Sequence, residues 1–105
     1  MAAISKDRVV MVPCRLSGAS MPFQAIFEIA VPGGVFRGVS QVDYCYRDSG
    51  AKLSEGKVER DPFNGFVTGV TVGEKPDGAV RVHLPDGNIY DLPPQNLRGP
   101  DFKNP

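Results

Sequence analysis

One imidazole, two thiols, three phenols and two groups of carboxylates are the side chains of this chain that could carry chemistry. His83 is the sole histidine, and an imidazole that titrates near neutral pH can act as a general base or hold an anion. The alternation Val80-Arg81-Val82-His83-Leu84 sets it on the outer face of a strand, between Thr71 and Ile89 and near Arg81, where a solvent-facing role is expected. No serine or cysteine falls beside it in sequence, so a nucleophile–base pair has no support. Cys14 and Cys45 lie in no CxxC pair, and with one histidine they make neither a zinc set nor a redox dithiol. They read as two small buried hydrophobes in a reducing compartment, with a bridge between strands as the alternative if the protein is exported. Glu55, Glu59 and Asp61, and separately Asp43 and Asp48, are placed as solvated charge on a loop and an edge; acid–base work would need one of them desolvated. Gly33-Gly34 precedes no helix start and cradles no phosphate. No catalytic residue, metal or cofactor is expected.

The aromatic residues offer more. Tyr44 and Tyr46, two apart in an apparent strand, share a face and continue the apolar phase of Val42, which assigns them to the core or to a barrel mouth. With Arg47 beside them they could form a stacking or peptide-binding patch. The candidate ligand- or partner-binding residues are therefore Tyr44, Tyr46, Arg47, Arg81, His83 and Tyr90.

Charge narrows the partners. Twelve basic and twelve acidic side chains cancel, which is no footprint for nonspecific nucleic-acid binding, a process driven by neutralising many phosphates at once. Specific nucleic-acid binding would need Arg15, Arg37, Arg47 and Arg81 to converge. The first residues carry Lys6, Asp7 and Arg8 and soon Pro13, leaving no apolar signal-peptide core, and no apolar run approaches the ~18 residues of a membrane helix. A cytoplasmic, membrane-free protein is expected.

Twelve glycines and ten prolines in 105 residues leave few windows for a helix interior, where proline costs ~3 kcal/mol and glycine ~1 kcal/mol. Residues 23–31 alternate with Phe23, Ala25, Phe27, Ile29 and Val31 on one face. In residues 8–16, Val10, Val12, Cys14 and Leu16 share a phase, while Pro13 in the other phase predicts an edge strand or bulge. A long strand is predicted through residues 35–47, with a bend at Gly38. Residues 48–56 read as an exposed loop.

Three glycine-closed turns, Phe63-Asn64-Gly65, Pro76-Asp77-Gly78 and Pro85-Asp86-Gly87, fit three-residue hairpin loops. The last sets Val82 opposite Tyr90, Val80 opposite Leu92 and Arg81 opposite Asp91. The second sets Val72 opposite Val82 and Val70 opposite Leu84, with Thr71 meeting His83 outside. Extending through the first gives a four-stranded meander over residues 57–92 with Val58 opposite Val70. Pro93-Pro94 then ends the last strand in a single 3₁₀ turn, and residues 98–105 read as a loose tail.

The segments Val80-Arg81-Val82-His83-Leu84-Pro85-Asp86-Gly87 and Leu92-Pro93-Pro94-Gln95-Asn96-Leu97 resemble the C-terminal part of small SH3-like barrels of the SH3, Tudor and KOW kind. The sequence departs from SH3 domains in lacking their ALYDY-like strand and acidic loop, so the resemblance implies architecture and transfers no site residue. The expected fold is a single all-β domain over residues 1–105, a partly open antiparallel barrel of about six to seven strands. The expected function is noncatalytic recognition of a protein, a peptide or a second copy through a barrel face or strand edge. The alternative is a small-ligand barrel or minimal enzyme with a cavity lined by Tyr44, Tyr46 and Tyr90.

Overall fold

The computed structural model describes residues 8–103. They form seven antiparallel strands: β1 (Val9–Gly18), β2 (Gln24–Val31), β3 (Gly34–Gln41), β4 (Cys45–Arg47), β5 (Phe63–Glu74), β6 (Val80–His83) and β7 (Ile89–Leu92). They make one sheet in the order β3-β2-β1-β5-β6-β7, with β4 paired to β5. The sheet curls into a half-barrel, and the all-β expectation holds: only 3₁₀ turns interrupt the strands, at Val42–Tyr44, Leu53–Glu55 and Pro94–Asn96.

Alternation builds the concave core. Val10, Val12, Cys14 and Leu16 of β1 and Ala25, Phe27 and Ile29 of β2 point inward and are buried. Val67, Val80, Val82, Leu84 and Leu92 extend the core from the other half, joined by Cys45, Leu53 and Leu97. Pro32-Gly33 joins β2 to β3 in a two-residue loop, Val31 facing Gly34.

β1 is a central strand despite Pro13. It pairs with β5 from Val9 to Leu16, and with β2 only from Arg15 to Gly18. Beyond Arg15 the two strands part, and the C-terminal segment enters the opening. Met11 and Arg98 exchange both backbone hydrogen bonds at 2.9 and 2.8 Å, and Asn96 Nδ2 donates to the Ala30 carbonyl at 2.9 Å. Pro13 faces the same side as Met11, two residues away, in the gap between these contacts and the β2 ladder. A missing amide costs nothing there.

The C-terminal meander has three strands, not four. Phe63-Asn64-Gly65 is no turn but the start of β5, with Leu16, Arg15 and Cys14 opposite it on one side and Arg47 opposite Gly65 on the other. Pairing on both sides satisfies this backbone better than a local turn would. Residues 57–62 are not a strand; they are tied to β1 where the Gly18 amide donates to the Glu59 carbonyl at 2.8 Å.

The two Pro-Asp-Gly loops form as read. Gly78 and Gly87 adopt φ of 91° and 88°, the left-handed geometry that glycine takes without steric cost. Lys75 N–H to Ala79 O at 2.8 Å and Leu84 N–H to Asn88 O at 3.0 Å close the loops. The β6–β7 register is the expected one, Val82 opposite Tyr90 and Arg81 opposite Asp91. Between β5 and β6 the expected register holds at Gly73 and Arg81, then a bulge intervenes and Thr71 opposes Val82. Thr71 is consequently buried in the place expected for Val72. Val70, opposite His83, turns to the outer face.

Two further expectations are corrected. Within residues 48–56, read as an exposed loop, Leu53 is fully buried, because a single apolar side chain on a long connection gains by reaching the core. The tail is docked through residue 103: the Phe102 ring lies 4.9 Å from Phe66 and 5.3 Å from Tyr46. It covers aromatic surface on the outer side of β4 and β5. Residues 104–105 lie outside the described residues.

Candidate functional site

Four cross-strand positions on the outer face line up as one row. Val9 of β1 opposes Val70 of β5, Val70 opposes His83 of β6, and His83 opposes Ile89 of β7. Val9 is 44% and Ile89 59% exposed. Beside the row lies a groove of about 380 Å³ lined by Tyr44, Thr68, Val70, His83 and Pro85, and Tyr44 is itself 48% exposed.

Each side chain has a local cause. The β5 bulge swings Val70 outward. The alternation of β6 buries Val80 and Val82 and leaves Arg81 and His83 outside. The 3₁₀ turn at Val42–Tyr44 breaks the expected strand, so the period of two fails between Val42 and Tyr46. Cys45 takes the core position, and Tyr44 is turned out to the groove. The Pro85–Gly87 loop forms the rim.

The groove lining contains no carboxylate, serine or cysteine. It sets the His83 imidazole, which can donate or accept a hydrogen bond, beside the hydroxyl-bearing Tyr44 and Thr68 and the apolar Val70, Leu84 and Pro85.

The remaining predicted site residues are held elsewhere. Arg47 donates to both Glu59 carboxylate oxygens at 3.2 and 3.0 Å and to the Lys57 carbonyl at 2.8 Å, and its guanidinium lies 5.1 Å over the Phe63 ring. Hydrogen bonds from Glu59's own backbone and from Arg47 hold the Glu59 carboxyl below its ordinary range. Arg81 pairs with Asp91 at 3.4 Å, and Lys75 reaches the same carboxylate at 3.1 Å. Tyr46 packs on Phe102. The Tyr90 hydroxyl donates to Asp86 at 2.5 Å, and its ring lies 5.1 Å from Phe36. Burial first, and then the Asp86 hydrogen bond, push the phenol above its usual value.

The three tyrosines thus occupy three different surroundings and frame no common cavity. The structure brings Tyr44 and His83 together. It adds Val9, Val70 and Ile89, which the sequence reading missed. The β6–β7 register, read from sequence, already set Ile89 opposite His83; Val70 was hidden by the bulge.

Arg15, Arg37, Arg47 and Arg81 form no basic stripe. Glu28 of β2 stands between Arg15 of β1 and Arg37 of β3, and Arg47 and Arg81 are in ion pairs.

A second concavity, of about 400 Å³, opens where β1 and β2 part, with Pro13, Arg15, Glu28, Asp48, Asn96 and Arg98 around it. Cys14 and Cys45 are free and buried. They sit on β1 and β4, on opposite sides of β5, and burial raises both thiols, Cys45 up to about 11. Among the described residues no group of three or more His, Cys, Asp or Glu side chains could hold a metal ion, and no helix is long and apolar enough to cross a membrane. Compared with protein-family models, curated proteins and solved structures, the chain matches none.

Proposed function

We propose that this protein is a noncatalytic binding module that recognises a protein or peptide segment on the outer face of its sheet. The observation that supports this reading is the row Val9, Val70, His83 and Ile89 beside the groove at Tyr44. Apolar surface at the centre of an interface supplies affinity when an anchor side chain fills a pocket, and tyrosine is among the residues that most often dominate such contacts. His83 contributes direction, since a hydrogen bond inside an apolar frame fixes how a partner segment lies. A cytoplasmic setting accords with two thiols that are free and buried.

The test is selection from a displayed library of random peptides on the immobilised protein. Enriched peptides share an apolar or aromatic anchor, and Ile89→Glu and Tyr44→Ala each weaken their binding by about tenfold or more. Enrichment of no peptide, or binding that both variants leave unchanged, overturns the reading.

A second reading, small-ligand recognition, is favoured by the cleft between β1 and β2, whose volume of about 400 Å³ falls in the range of ligand pockets. Fragment screening by NMR selects it if chemical-shift changes gather at Arg15, Asn96 and Arg98. Changes at Tyr44 and His83 select the first.

A further inference from the structure

The two ends of the sheet are protected differently. β7 is four residues long, carries Asp91 paired to Lys75 and Arg81, and runs straight into Pro93-Pro94. Short length, charge and proline are the usual devices that stop an edge from pairing. β3 is eight residues long and pairs with β2 along its whole length, and among the described residues no strand pairs with its other side. It contains no proline and no bulge, and its one charged residue, Arg37, pairs with Glu28 of β2. Val35 and Val39 on its outer face are 61% and 45% exposed.

We propose that β3 pairs with β3 of a second copy of this chain, antiparallel about a two-fold axis at Gly38. Along β3 the outward positions are Val35, Arg37, Val39 and Gln41, while Phe36, Gly38 and Ser40 are the more covered. Continuity of both faces requires outward positions to oppose outward positions, which leaves two registers that pair most of the strand. One sets Arg37 directly opposite Arg37 of the second copy, a destabilising like-charge pair. The other sets Gly38 opposite Gly38, Arg37 opposite Val39 of the second copy, and Val35 opposite Gln41 of the second copy. In it the Arg37 guanidinium stays with Glu28 on β2, 3.8 Å away, while its aliphatic stem covers the facing valine.

The contact is isologous and closes at two copies. Zero net charge adds no overall repulsion between them. One strand against one strand is small beside the ~1,200–2,000 Å² of a stable interface, so the dimer is reversible and depends on concentration. The contact uses none of the residues in the Val9–Ile89 row and stands independently of it.

Light scattering across a concentration series, on the full chain and on Val39→Glu and Val39→Lys, tests the proposal. In this register each substitution meets Arg37 of the second copy twice per dimer. The glutamate variant tightens association and the lysine variant weakens it, each by roughly tenfold. A side chain that only shaped the monomer moves both variants the same way, and that result, or a monomer at every concentration, overturns the proposal. Oxidative crosslinking checks it separately. Mixed Arg37→Cys and Val39→Cys chains give predominantly the mixed disulfide dimer, since Cys14 and Cys45 are buried and do not compete. Predominance of either single-variant dimer, or no crosslink, overturns it.

Discussion

Tyr90 donates its hydroxyl hydrogen to Asp86 at 2.5 Å, and that same carboxylate lies where a side chain on Gly38 would have to go. A Cβ at Gly38 would stand 2.5 Å from Asp86 Oδ2 and 2.5 Å from Phe27 Cζ. With Phe36 against the Tyr90 ring, these inward-facing residues of β3 join it to the β6–β7 hairpin by side chains alone, because β3 and β7 share no ladder, and the second backbone edge of β3 keeps no strand partner among the described residues. The seam explains why an unpaired sheet end still covers the core at Phe27. Gly38→Ala forces Phe27 or the Asp86 loop aside and is expected to cost about 1–3 kcal/mol. Tyr90→Phe removes one hydrogen bond to a charged group and costs roughly 1–2 kcal/mol. Urea unfolding of the two variants measures this; a Gly38→Ala protein as stable as the parent refutes the close approach.

Removing Phe102 uncovers Tyr46 and Phe66. Phe102→Ala is expected to cost about 1–2 kcal/mol, since the ring is partly exposed and only part of its burial is lost. For a chain of this size that lowers the melting temperature by roughly 4–16 °C. The near-ultraviolet circular dichroism of Tyr46 should change with it. A melting temperature within a degree of the parent means that the tail contributes no stability.

Leu53 anchors the long connection between β4 and β5 in the core. Leu53→Ala should cost about 2–4 kcal/mol, the transfer loss plus an unfilled cavity. Amide exchange in residues 48–62 should speed up more than in β6. Uniform acceleration throughout the sheet argues against a local anchor.

The Cys45 thiol is raised from 9.0 to about 11, by burial first. The fold therefore favours the neutral thiol. Below pH 9 both folded and unfolded states keep the proton and stability is unaffected. As pH rises from 9 toward 11 the unfolded chain ionises first, and stability falls by roughly 2–3 kcal/mol. Cys45→Ala should make that slope shallower and leave the part due to Cys14, whose thiol burial also raises, and a pH dependence identical to the parent's disproves the assignment. At neutral pH both cysteines should react with a thiol reagent only at the rate of unfolding.

Much of the barrel was legible because its causes are local. Alternation in residues 23–31 placed Ala25, Phe27 and Ile29 inside without reference to any neighbour; Phe23, assigned to the same face, lies before β2 begins and is 51% exposed. Pro85-Asp86-Gly87 set the β6–β7 register, because a three-residue loop leaves one pairing that keeps Val80, Val82 and Leu92 on one face. His83 was placed on the outside by the same alternation. What failed had non-local causes. Asn64-Gly65 is a turn by propensity but a strand in fact, since β1 and β4 engage its backbone from both sides. Pro13 signalled an edge, yet the chain uses it at a gap inside the sheet.

By itself the sequence determined an all-β chain, the phase of most strands, two tight loops and the outward position of His83, all of which follow from side-chain period and turn chemistry within a few residues. Only the tertiary structure decided which outward residues meet. One bulge between Thr71 and Gly73 turned Val70 to the surface, and one 3₁₀ turn exchanged Tyr44 for Cys45 in the core. Side-chain direction in a strand has a period of two, so a single inserted or wound residue reverses every position beyond it. That reversal assembled the row beside His83, and it dispersed the three tyrosines.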